Sequence, residues 1–172
     1  MSTSDRLLLI LHIGFAIFTL GPLTAATSVT PRYIRKRDAA VVRYLNRNTR
    51  LYGMGTLTVF LFGLFLGQGE LAQAWLVVSI TLFVVALALL LLVERDQRKA
   101  VHLLEVAAAQ ESPAPEPSEQ KTEAEEEPKK ETTKPAEGGD IAQVERGRIA
   151  AISGVIALIW VVILVLMVWN GS

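Results

Sequence analysis

The chain has 172 residues, of which 51% are hydrophobic and 7% aromatic, with 17 basic and 17 acidic side chains and no cysteine. Without cysteine there is no disulfide framework and no thiol metal site. The apolar residues gather in blocks longer than a soluble core requires, which excludes an ordinary water-soluble globular domain.

Four uncharged runs stand out. Leu7–Thr30 has 24 residues and contains His12, Leu51–Gly69 has 19, Ala74–Val93 has 20 and Ile149–Trp169 has 21. At about 1.5 Å per residue each can cross a hydrocarbon layer of roughly 30 Å. Within lipid only a helix or a closed barrel satisfies its own backbone. The fold class predicted is all-α, a four-transmembrane-helix bundle with helices at about 7–30, 39–67 and 74–105 and a fourth within 141–172. The near-neutral start MSTSDR and the length of the first run mark it as a span rather than a cleaved secretory leader.

In the first run Gly21-Pro22 predicts a kink, because proline removes a backbone donor and crowds the preceding turn. Gly14, Gly21 and Ala25 offer small surface for a neighbouring helix. His12 is the one ionisable group inside a span. Such a residue is a functional candidate, as an axial haem or metal ligand or a proton-relay member. The simpler reading is a neutral imidazole hydrogen-bonded across the bundle or reaching toward the nearby outer interface. His102 belongs to the opposite side of the membrane, so the two histidines do not share a metal. No catalytic residue, metal site or cofactor is expected.

The next segment, Pro31–Arg50, sets the topology. It carries seven basic residues, and Arg95, Arg98, Lys99, Arg146 and Arg148 add five at the same side, against Arg6 alone at the other. By the positive-inside rule the first and third connections face the cytoplasm and both termini face out. Trp75 and Trp169 at the outer boundary, and Tyr33 and Tyr52 at the inner one, fit interfacial aromatic belts. Asp38 is a good N-cap, and Ala39, Val42, Leu45 and Thr49 recur at helical spacing, so the second helix begins before it enters lipid. Arg32, Arg35, Lys36, Arg37, Arg43 and Arg47 are suited to anionic lipid headgroups. No glycine-rich loop or recognition motif accompanies them, so a nucleic-acid partner is not expected.

The second helix carries Gly53, Gly55 and the pair Gly63/Gly67, a slim packing face. A short turn then makes the second and third helices antiparallel neighbours. The third is apolar nearly all round and reads as a lipid-facing anchor that continues toward Gln110 on helix-forming residues. Residues 111–140 hold ten acidic residues, four lysines and five prolines but no Val, Ile, Leu, Met or aromatic residue. They read as a disordered acidic cytoplasmic linker between helices three and four. Ala150/Gly154 and Gly147/Ala151 give the fourth helix a small-residue face.

Leu7–Glu105, with Leu11-His12-Ile13-Gly14, Gly21, the Arg-rich connection and the Gly-rich second helix, resembles a group of uncharacterised bacterial integral membrane proteins. That group is distantly similar to the copper-resistance D type of four-helix membrane proteins, whose additional outer-face histidines or methionines are not matched here. A weaker likeness is to small membrane subunits of actinobacterial respiratory supercomplexes. The resemblance implies a multi-pass protein of the bacterial cell membrane. With no nucleophile–base pair and no carboxylate pair within a span, an enzyme is not expected. The expected function is that of an accessory or scaffold subunit of a larger, for example respiratory, membrane complex, partnered by other membrane-protein subunits. The alternative is a small-solute or metal transporter, or a haem- or copper-handling protein using His12.

Overall fold

A computed structural model describes residues 3–69, 72–111 and 137–170. These form α1 (Thr3–Arg35), α2 (Ala39–Leu66), α3 (Ala74–Glu111) and α4 (Glu137–Asn170), and each is long and apolar enough to cross a membrane. The helices overrun their apolar runs at the basic end. There α3 continues six residues past Glu105, on an alanine-rich stretch that favours helix, and α4 starts at Glu137, four residues before the position expected and through Gly138-Gly139, which composition does not favour. Of residues 111–140, expected to be a disordered linker, Glu111 instead ends α3 and Glu137–Asp140 begin α4, while residues 112–136 lie outside the described residues.

The α1–α2 connection is a two-residue turn, Lys36-Arg37, closed by specific backbone bonds. Arg37 adopts the left-handed conformation, φ 55°, while its N–H donates to the Ile34 carbonyl (3.0 Å) and that of Asp38 donates to the Tyr33 carbonyl (3.2 Å). This is the 6→1 and 5→2 pattern that closes a helix C-terminus, with arginine where glycine is usual. Asp38 then caps α2, its carboxylate accepting from the Val41 N–H at 3.1 Å, as its sequence position predicts.

Contacts between helices give the register. His12 meets Gly63 and Thr19 meets Gly55, Gly53 meets Leu90 and Gly67 meets Leu76, and Phe83 meets Trp160 while Asp96 meets Arg148. Successive helices are therefore antiparallel, and all the basic connections gather at one end. α1 and α3 each pack on both α2 and α4, and touch one another only sparsely across the diagonal. The outside of the bundle is apolar: Phe18, Leu158 and Val168 are 76%, 64% and 72% exposed, the inverse of a water-soluble surface.

α1 runs as a helix through both Pro22 and Pro31. Pro31 deprives the Thr27 carbonyl of its helical donor, and Ser153 of α4 donates its hydroxyl to that carbonyl at 3.4 Å. Several other hydroxyls within the spans are tied back to their own helices. Thr30 donates to Ala26, Thr27 to Leu23 and Ser79 to Trp75 at 2.8, 3.1 and 2.8 Å, which satisfies hydroxyls where no water is at hand.

α3 corrects the expectation of a lipid-facing anchor. Leu76, Ser79, Phe83, Ala86, Leu90, Val93, Gln97, Ala100 and Leu104 are all buried, and their strict three- and four-residue alternation is the stripe of a helix seated in a bundle. Its first half packs Phe83 and Ala86 on Ile159 and Ile163, and its second half joins a larger cluster around Leu23, Ile34, Val42, Ile149 and Ile156. The core is thus densest toward the basic end.

Candidate functional site

Two places concentrate polar chemistry, and they lie at opposite ends of the bundle. Toward the far end the four helices part to leave a cavity of about 710 Å³, lined by mostly apolar residues of every helix and open to the outer surface of the bundle beside Ile13, Ile17, Leu164 and Val168. His12 lines it from α1, Gly63 from α2, Phe83 from α3 and Trp160 from α4.

The His12 ring is held rather than loose. Its Nδ1 lies 2.9 Å from the Val59 carbonyl oxygen, and since a carbonyl only accepts, Nδ1 carries the proton. Gly63, one turn on, makes room for the ring: a Cβ there would stand 3.0 Å from Cε1 of His12. Of the two simpler readings of His12, the hydrogen bond across the bundle is the one present, and glycine and histidine, read separately in the sequence, are one contact. The neutral ring keeps a lone pair on Nε2. Near the mouth lie Asp5 and Trp75, the indole N–H of Trp75 donating to the Gln73 side chain. Phe60 stacks on Phe83 at 4.8 Å and Phe83 meets the edge of Trp160 at 5.2 Å, forming an aromatic floor. Met167 also lines the cavity. Among the described residues no group of three or more His, Asp or Glu side chains is placed to hold a metal ion.

At the basic end stands a buried ion cluster that reading the sequence missed. Asp96 and Gln97 have no exposed surface, and Glu145 is 7% exposed. The Arg148 guanidinium lies 3.3 Å from Asp96 and 3.8 Å from Glu145, and Lys99 lies 4.0 Å from the other Glu145 oxygen. Gln97 donates to the Thr30 hydroxyl at 2.8 Å, and Asn46 donates to the Glu94 carbonyl at 3.2 Å and reaches Gln97 at 3.4 Å. The cluster therefore links all four helices. Neither carboxylate oxygen of Asp96 has an aligned hydrogen bond, so the charge of Arg148, at ion-pair distance, is what offsets its burial. A signal was available: Asp96-Gln97 continues the α3 core alternation after Leu90 and Val93, where a solvated face would have broken it.

A family described as predicted integral membrane protein (DUF2269) matches residues 6–126. The chain belongs to that family. It is accordingly a multi-pass integral membrane protein whose helices contact the lipid bilayer. The DUF2269 match includes α1, α2 and α3, and with them His12, Gly63 and Asp96, while Glu145 and Arg148 lie beyond it. No curated protein and no solved structure matches the chain.

The basic residues suited to headgroups are at the basic end. Arg32, Arg35, Lys36, Arg37, Arg43 and Arg47 are all exposed, with Lys36 over the Tyr33 ring and Arg43 paired with Glu105 of α3. His102 is exposed there as well, far along the bundle from His12.

Proposed function

We propose that this DUF2269 protein is a non-catalytic accessory or scaffold subunit of a larger assembly in the bacterial plasma membrane, for example a respiratory complex. The observation that carries the reading is how its glycines divide. Gly53, Gly55, Gly63 and Gly67 of α2 are consumed inside the bundle, each against a side chain of α1 or α3. At Gly14 and Gly21 of α1 and at Gly147 and Gly154 of α4 an added Cβ would meet nothing within 4 Å. Slim helix faces that their own bundle leaves open are what close helix–helix association in lipid requires. Basic side chains at one end add attraction to anionic headgroups, about 1 kcal/mol for each near the surface.

In a mild-detergent extract of its native membranes, the wild-type chain should run with a stoichiometric membrane partner. Gly21→Leu combined with Gly154→Leu should release that partner while leaving helical content unchanged. A wild-type chain that runs alone, with a haem or copper spectrum lost in His12→Ala, would replace this reading by the cofactor-handling one.

Orientation follows from the charge asymmetry, with both termini outside and the basic end in the cytoplasm. The chain has no cysteine, so single cysteines at Ser4, Arg47 and His102, all exposed, report it directly. An impermeant thiol reagent applied to intact cells should label Ser4→Cys and spare the other two; labelling of Arg47→Cys reverses the topology.

A further inference from the structure

The far-end cavity has features that association with a partner does not use. Its volume of about 710 Å³ falls in the range of small-molecule sites, roughly 300–1,000 Å³. A cavity of about 150 Å³ suffices for a benzene ring, so this one has room for a ring and a hydrocarbon chain together. Aromatic faces of Phe60, Phe83 and Trp160 suit a flat ring, and the remaining lining is largely aliphatic.

Of the lining's polar groups, the Trp160 N–H has no partner among the described residues but also no accessible surface, and His12 is the one left to orient an occupant. His12 gives Nδ1–H to the Val59 carbonyl, which leaves Nε2 as an acceptor with no hydrogen-bond donor among the described residues. A water beside it would need about two to four polar partners to be well held, and the lining around His12 is mostly apolar. A saturated lipid tail would fill the volume but give Nε2 no donor. A carbonyl-bearing ring would set acceptor against acceptor. A ring hydroxyl supplies the missing donor.

We propose that this cavity binds a membrane-dissolved phenol or hydroquinone with a hydrocarbon tail, its ring hydroxyl donating to Nε2 of His12. The ring lies toward the Phe60, Phe83 and Trp160 faces, and the tail follows the aliphatic lining. The acceptor at Nε2 makes the site selective for the hydroxyl form over the corresponding quinone. This inference does not rest on the accessory-subunit reading, and either can fail without the other.

The test uses the full chain in phosphatidylcholine nanodiscs, titrated calorimetrically with a decyl-tailed hydroquinone, its dimethyl ether and its quinone. The hydroquinone should bind saturably with one molecule per chain, and the ether and quinone at least tenfold more weakly, as the loss of one buried hydrogen bond implies. His12→Phe should lower hydroquinone binding to the level of the ether. Leu20→Trp, which narrows the cavity from α1 two turns away from the imidazole, should weaken all three ligands together. Equal binding of hydroquinone and ether to the wild-type chain overturns the assignment of the hydroxyl to His12. Absence of saturable binding, or quenching of Trp160 by bromine-labelled phospholipid that the hydroquinone does not relieve, overturns the site and gives the cavity to lipid tails.

Discussion

Arg148→Ala is expected to lower unfolding free energy by about 3 kcal/mol, at the lower edge of what breaking a buried ion pair costs because the guanidinium is partly exposed. The penalty arises on the partner. Asp96 has no exposed surface and no aligned hydrogen bond, so removing the cation 3.3 Å away leaves a buried carboxylate without compensation. Loss of the other partner should be far milder. Asp96→Leu leaves Arg148, whose side chain is 45% exposed, free to turn toward water, and puts an apolar group into the α3 stripe between Val93 and Ala100. The pair should then couple: adding Asp96→Leu to Arg148→Ala is expected to recover most of the loss. Detergent-induced unfolding followed by helical content measures all three variants. Equal losses for the two single substitutions, with no recovery in the double, would show that the ion pair is not what holds the basic end.

Gly55→Leu is expected to cost about 2–3 kcal/mol through overpacking. A Cβ at Gly55 would already stand 2.6 Å from Cγ2 of Thr19, and Thr19 is buried with its hydroxyl fixed to the Phe15 carbonyl at 2.6 Å, so the neighbour has little room to yield. Gly154→Leu, on the opposite side of the same bundle, should leave stability within about 0.5 kcal/mol, as open surface positions do. The contrast, read by the same unfolding assay, separates glycines that serve the fold from those on the faces through which association is proposed. A Gly55→Leu chain as stable as wild type would mean that α1 and α2 pack less closely than this contact requires.

Much of the fold was legible because it depends on length and on local chemistry. Each apolar run is longer than about 20 residues or close to it, and no soluble core demands that. Asp38 capped α2 as its position promised, since an N-cap acts on N–H groups two or three residues away. His12 bridged to the neighbouring helix because a lone imidazole in an apolar span has few other partners. The acceptor, however, is a backbone carbonyl, which no residue type announces.

Local chemistry fixed the number of spans, the start of α2 at Asp38, and the gathering of basic residues at alternate connections. Each follows from transfer of side chains between water and lipid, or from bonds within a few residues. The tertiary structure alone decided which face of α3 is buried, which glycines are used up, and that Asp96, Gln97, Glu145 and Arg148 meet. A helix apolar nearly all round carries no phase, because lipid and protein interior reward the same side chains. Only the shape of neighbouring helices chooses between them, and for the same reason a charge one turn past an apolar run reads as solvated until the helix beside it is seen to cover it.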